Sequence, residues 1–205
     1  MIARFTRIKK MISIRLKLRS IISKWFEDPI VRLLVFLKLP PSLITVLGLT
    51  IASIGAYFCY KGDFLLAGII VFISAIFDMF DGGVARKTNN VTTRGALLDS
   101  VTDRLSESVI LIGIGAYFLD QSNNTLVILT MIALVGSFMV SYIRARSEGL
   151  QVSAMGGILT RPERVIIVVL SLIIGVPDYG IWILAVGTPI SALQRMFLSW
   201  RSMKR

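Results

Sequence analysis

From residue 43 onward the chain alternates long apolar runs with short polar ones. The runs cover about 43–61, 64–83, 95–119, 124–145, 162–177 and 180–200. Each reaches or approaches the roughly 20 residues that an α-helix needs to cross a bilayer. The predicted fold is therefore all-α and integral to the membrane, with six transmembrane helices. Six crossings return the C-terminus to the side where the N-terminus began. Pro40-Pro41-Ser42 breaks the chain before the first run, with Ser42 as the predicted N-cap. Pro177-Asp178 and Gly180 predict a tight turn between the last two helices.

The stretch ahead of the first run has a different texture. Ile8, Met11, Ile12, Ile14, Leu16 and Leu18 stand among Arg7, Lys9, Lys10, Arg15, Lys17 and Arg19. Ile21 to Trp25, then Ile30, Leu33, Leu34 and Phe36, predict an amphipathic helix lying in the membrane interface, with Trp25 and Phe26 as anchors. The expected organisation is a juxtamembrane segment, 1–41, followed by one six-helix domain, 42–205. Glu27, Asp28 and Pro29 interrupt the basic stretch and predict that it is not a cleavable signal.

Composition sharpens this picture. Of the 205 residues 55% are hydrophobic, and the mean hydropathy of +0.76 is too high for an ordinary soluble domain. The net charge of +11 suggests a nucleic-acid partner only until its distribution is considered. Basic residues fill the N-terminal arm and alternate loops: Arg86, Lys87 and Arg94, then Arg144, Arg146, Arg161 and Arg164, then Arg201, Lys204 and Arg205. The opposite loops hold Lys61 and Asp63, then Asp120, then Asp178. That is the positive-inside pattern, which puts both termini in the cytoplasm and argues against nucleic acid. The single cysteine, Cys59, excludes an internal disulfide, and the absence of histidine excludes histidine-based catalytic triads.

One stretch carries chemistry. Asp78 and Asp81 end the second run, and Asp99 and Asp103 lie near the start of the third, all on the basic side. Spacings of i,i+3 and i,i+4 project each pair from one helical face. Ionised side chains beside a bilayer are costly, so four of them mark a functional site. Their mutual repulsion calls for cations between them, and hard oxygen donors select Mg2+, Mn2+ or Ca2+. Gly82, Gly83 and Ala85 allow close approach of a ligand or a neighbouring backbone, Arg86 offers a cation to a phosphate, and Asn89, Asn90, Thr92 and Thr93 can hydrogen-bond a base or sugar. Two metal ions beside a phosphate-binding arginine suit pyrophosphate chemistry. Glu107, one turn beyond Asp103, has Arg104 as its expected i,i+3 partner.

The run Asp78-x2-Asp81-Gly82-x2-Ala85-Arg86-x8-Gly95-x3-Asp99-x3-Asp103 resembles, at every fixed position, the signature of the CDP-alcohol phosphatidyltransferases. The resemblance implies a six-helix membrane enzyme, usually a homodimer, that moves a phosphatidyl group from a CDP-linked lipid to an alcohol and releases CMP. It implies two Mg2+ ions, with Mn2+ a possible substitute: one on Asp78, Asp81 and Asp99, the other on Asp78, Asp99 and Asp103. Asp103 would also be the general base. Gly82, Arg86 and Thr92 would hold the CDP part of the donor, helped by Ser42, Leu43, Ile44 and Thr45.

The acceptor is read from a second stretch. Arg144 and Arg146 end the fourth run, Arg161 and Arg164 open the fifth, and Arg195 lies inside the sixth, where a cation wants an anionic partner. Arg146 and Arg161 fit equally well as ordinary helix-end arginines. The cationic set implies an acceptor with its own phosphate, either inositol 1-phosphate or sn-glycerol 3-phosphate. The combination SYIRAR, RPER and QR resembles the phosphatidylinositol phosphate and archaetidylinositol phosphate synthases. By that resemblance Arg144, Arg164 and Arg195, with Ser141 nearby, hold the acceptor phosphate, and the donor is CDP-diacylglycerol or an archaeal CDP-diether lipid. The competing class is a cation transporter, which uses intramembrane carboxylates as a path. Against it, all four aspartates gather at one membrane face and no polar residues continue a path at the other.

Overall fold

The computed structural model describes residues 28–152 and 157–203. Its seven helices are α1 (Asp28–Phe36), α2 (Pro41–Lys61), α3 (Phe64–Lys87), α4 (Thr93–Asp120), α5 (Asn124–Gly149), α6 (Arg161–Ile174) and α7 (Pro177–Ser202), with no strand among the described residues. The all-α expectation holds. Of the predicted interfacial helix only α1 lies within the described residues, and the segment 1–27 lies outside them.

Several boundaries differ from the sequence expectation, each for a local reason. The N-cap of α2 is Pro40, extended at φ −68° and ψ 141°, with Pro41 opening the helix; Ser42 is already inside the first turn. Proline tolerates that position because its missing N–H would have had no intrahelical partner. The predicted fifth helix is shorter than 162–177. Gly175 adopts the left-handed conformation (φ 80°) and closes α6, so α7 starts at Pro177 rather than after a turn at 177–180. Four helices are both long and apolar enough to span a bilayer: α2, α3, α5 and α7. Helix α4 has the length, 28 residues, but Asp99, Asp103, Arg104 and Glu107 break its apolar run. Helix α6, at 14 residues, is about 21 Å long at 1.5 Å per residue, short of the hydrocarbon core.

Packing relies on small residues where helices cross. A Cβ on Gly113 of α4 would strike the Ala56 carbonyl of α2, and one on Gly136 of α5 would strike the Thr188 hydroxyl of α7. Glycine thus brings these backbones together, as small residues do within membranes. The shared core includes Ala52, Cys59, Val71, Leu111, Ile114, Leu172, Ile181 and Leu184. Outside it, Leu65, Phe72, Ile112, Val135, Trp182 and Phe197 are exposed, an apolar perimeter suited to lipid rather than water. Helix α2 packs along both α3 and α4, whereas α3 and α4 touch one another only sparingly. The space left between their charged ends is where the site forms.

Candidate active site

Three of the four aspartates converge in that space. One carboxylate oxygen from each of Asp78, Asp99 and Asp103 lies within 4.8 Å of the other two. Helix α4 supplies Asp99 and Asp103 from successive turns, and α3 supplies Asp78 from across the gap. All three are half-buried. Asp81 is placed apart. Thr45 Oγ1 donates to its Oδ2 at 2.6 Å, the Gly82 N–H donates to its Oδ1 at 2.5 Å, and the residue is buried at 5% exposure.

The sequence leaves Arg161 open between the cationic acceptor set and an ordinary helix-end arginine, and the structure puts it into the carboxylate cluster. Its Nη1 is 2.5 Å from Asp78 Oδ2 and its Nη2 is 2.8 Å from Asp103 Oδ1. The fit is incomplete. Asp103 Oδ1 and Arg161 Nε are buried without a hydrogen-bond partner among the described residues. A close set of three carboxylates, one with a buried oxygen that accepts no directed hydrogen bond, suits a hard divalent cation. Asp78, Asp99 and Asp103 are the residues placed to hold it.

One turn further along α4, Glu107 takes Arg164 rather than Arg104. Arg164 Nε and Nη2 donate to the two carboxylate oxygens at 2.6 and 2.7 Å, and Arg164 is 1% exposed. Arg104 instead reaches back to the Ser100 carbonyl. The expected i,i+3 pair loses because a buried guanidinium has no water to fall back on and needs a carboxylate more than a half-exposed one does. Between the two ion pairs lies a cavity of about 40 Å³, lined by Ser74, Asp78, Ser106, Glu107, Arg161 and Arg164, with room for a water or two.

The remaining predicted residues occupy two regions. On the donor side, Ser42 and Leu43 are exposed, Ile44 is fully buried against Val31, Phe80 and Val84, and Thr45 is committed to Asp81. Gly82 lies under the exposed Arg86, whose Nη1 would be 3.1 Å from a Cβ there. Thr92 is the N-cap of α4 and accepts from the Gly95 N–H at 3.0 Å. On the acceptor side, Ser141 is half-buried and Arg144 is exposed, paired with Glu148 at 2.8 Å. Arg195 is buried and donates to the Val140 carbonyl at 2.8 Å, with Gly157 close above its guanidinium. Arg144, Arg164 and Glu148 all act electrostatically on Arg195, with Arg144 itself paired to Glu148 and Arg164 to Glu107.

With this geometry in view, comparison with known proteins is decisive. A sequence model of CDP-alcohol phosphatidyltransferase matches residues 38–193. The chain belongs to the CDP-alcohol phosphatidyltransferase family. It is thus a membrane enzyme of phospholipid synthesis that works with a divalent metal, Mg2+ or Mn2+, and the transporter alternative falls. The chain is similar to the phosphatidylinositol phosphate synthase of Mycobacterium tuberculosis, 36% identical over 187 residues, covering 85% of each chain. It is similar too to the archaetidylinositol phosphate synthase of Pyrococcus horikoshii, 35% identical over 162 residues, covering 78% of this chain and 84% of that one. Its fold matches crystal structures of the M. tuberculosis synthase. The form with CDP-DAG bound gives a TM-score of 0.81 at 32% identity, covering 88% of this chain and 98% of that one. The complex with manganese and citrate gives 0.82 at 32% identity, covering 88% and 93%.

Proposed function

We propose that this phosphatidyltransferase uses CDP-diacylglycerol, or the diether equivalent, as donor and inositol 1-phosphate as acceptor, forming phosphatidylinositol phosphate and CMP. The observation that supports the acceptor is the buried Arg195, held on the Val140 carbonyl and within the electrostatic reach of Arg144 and Arg164, which suits an alcohol bearing its own phosphate. The names of the two relatives favour inositol phosphate over sn-glycerol 3-phosphate.

In this account Asp78, Asp99 and Asp103 hold metal directly, and Asp81, anchored by Thr45, completes a two-ion set. Bound divalent ions would neutralise the donor diphosphate. Arg86, lying across Gly82, and Thr92 bind the CDP moiety, and from the 42–45 stretch the exposed Ser42 and Leu43 face it. Asp103 accepts the proton of the acceptor hydroxyl as its oxygen forms a bond to the phosphatidyl phosphorus, and CMP leaves with the electrons of the broken P–O bond. Ser141 orients the acceptor beside the arginines.

The catalytic unit in this proposal is 42–205, preceded by an interfacial segment. Helix α4 and the short α6, which does not span the full hydrocarbon thickness by itself, make up the remaining two of six passes, their charged ends at the cytoplasmic face with the site and both termini. Residence in the cell membrane and assembly as a homodimer are part of the same proposal. The test is CMP release by the purified protein with CDP-diacylglycerol and Mg2+: inositol 1-phosphate should support it, and free inositol should not. Equal release with both would remove the basis of the phosphate pocket.

A further inference from the structure

Helix α6 is clasped to α4 by two arms of unequal kind. Arg161 and Arg164, three residues apart, meet Asp103 and Glu107, four residues apart on one face of α4. The Arg164 arm is sealed, with the arginine side chain 1% and the glutamate 12% exposed and both carboxylate oxygens engaged. The Arg161 arm is open. Its side chain keeps 31% exposure, Asp78 keeps 22% and Asp103 18%. It is also poorly made, since Arg161 Nε and Asp103 Oδ1 lack hydrogen-bond partners among the described residues.

The guanidinium, 2.5 Å from Asp78 and 2.8 Å from Asp103, lies against two of the three carboxylates that would bind a divalent ion. A divalent ion bonded to those carboxylates at roughly 2.0–2.6 Å would stand beside the guanidinium, and the two cations repel. We infer that Arg161 is the internal counter-cation of this metal site, seated between Asp78 and Asp103 when no divalent ion is there and displaced when one enters. The inference rests on the assignment of those aspartates as metal ligands.

The local structure suits an exchange that moves a side chain and not a helix. Thr160 hydrogen-bonds Glu163 across the first turn of α6, and Pro162 stiffens it. The Arg164–Glu107 pair holds that turn on α4 throughout. The Arg161 side chain already keeps 31% exposure, so the displaced guanidinium moves outward, to the exposed side. The arginine thus spares the empty cluster its like-charge repulsion, and it lowers the apparent metal affinity by competition.

The test uses the full chain, purified in detergent, stripped with chelator and titrated with Mn2+ by calorimetry. Arg161→Gln is expected to bind Mn2+ more tightly by on the order of tenfold, the scale of one charge-assisted contact no longer given up. Arg104→Gln is the control for a general field effect, since Arg104 acts on Asp99 electrostatically but bonds the Ser100 carbonyl. An equal gain in both variants, or no gain in Arg161→Gln, overturns the exchange. Mn2+ binding that is unchanged by Asp78→Asn overturns the ligand assignment itself. Wild-type protein gives a second readout that does not depend on a variant folding. Labelling of Arg161 by an arginine-directed dicarbonyl, mapped by mass spectrometry, should rise on adding Mn2+; constant or reduced labelling overturns the exchange.

Discussion

Arg164 and Glu107, 57 residues apart in sequence, meet through two parallel hydrogen bonds of 2.6 and 2.7 Å with the arginine fully buried. The pair ties the start of α6 to α4 beside the carboxylate cluster. Breaking a buried ion pair from one side costs about 3–5 kcal/mol, because the remaining charge is left without a partner. Glu107→Gln should therefore lower the thermal midpoint markedly in detergent. Glu107→Leu with Arg164→Met should recover most of the stability while leaving the acceptor poorly bound. A Glu107→Gln protein as stable as wild type would show that the pair carries little of the α4–α6 contact.

Asp78→Asn should abolish turnover and weaken Mn2+ binding, because Asp78 is the only one of the three clustered carboxylates that α3 provides. Near-normal rates at ordinary Mg2+ would contradict its place in the metal site.

Asp103→Asn should fail at the chemical step while CDP-lipid binding largely survives. An amide keeps the shape but has no basicity toward the acceptor hydroxyl. Normal turnover at saturating donor, with a large loss of donor affinity, would make Asp103 a binding residue instead.

Arg195→Ala should raise the KM for inositol 1-phosphate by one to two decades, from the loss of roughly 1.5–3 kcal/mol of charge-assisted contact. The KM for the CDP-lipid should change little, since its phosphates belong to the metal and Arg86. The reverse pattern would move Arg195 to the donor side.

Local pattern in the sequence predicts what local pattern builds. Asp99 and Asp103 share a face because four residues make about one helical turn, and Asp78 follows from its place at the charged end of the neighbouring helix. Arg161 was not legible, because its partner Asp78 is 83 residues away and nothing near Arg161 distinguishes it from a helix-end cation. Glu107 misleads for the same reason: Arg104 is close in sequence, yet the buried arginine of another helix has the greater need. Asp81 is spaced like a ligand, and the structure adds what the spacing does not show: α2 brings Thr45 to one of its oxygens and the Gly82 N–H reaches the other. The predicted run 162–177 overshoots the end of α6, because the left-handed Gly175 closes the helix after Ile174 while the sequence stays apolar through Val176.

The identity of the acceptor is tested most directly by competition. Labelled inositol 1-phosphate and labelled sn-glycerol 3-phosphate are offered together to the purified protein with CDP-diacylglycerol and Mg2+, and the lipid products are separated. The proposed acceptor arginines and the family likeness predict that the label appears in phosphatidylinositol phosphate, with CMP formed in equal amount. Label appearing chiefly in phosphatidylglycerophosphate would contradict that assignment, while leaving the metal cluster and the transfer chemistry in place.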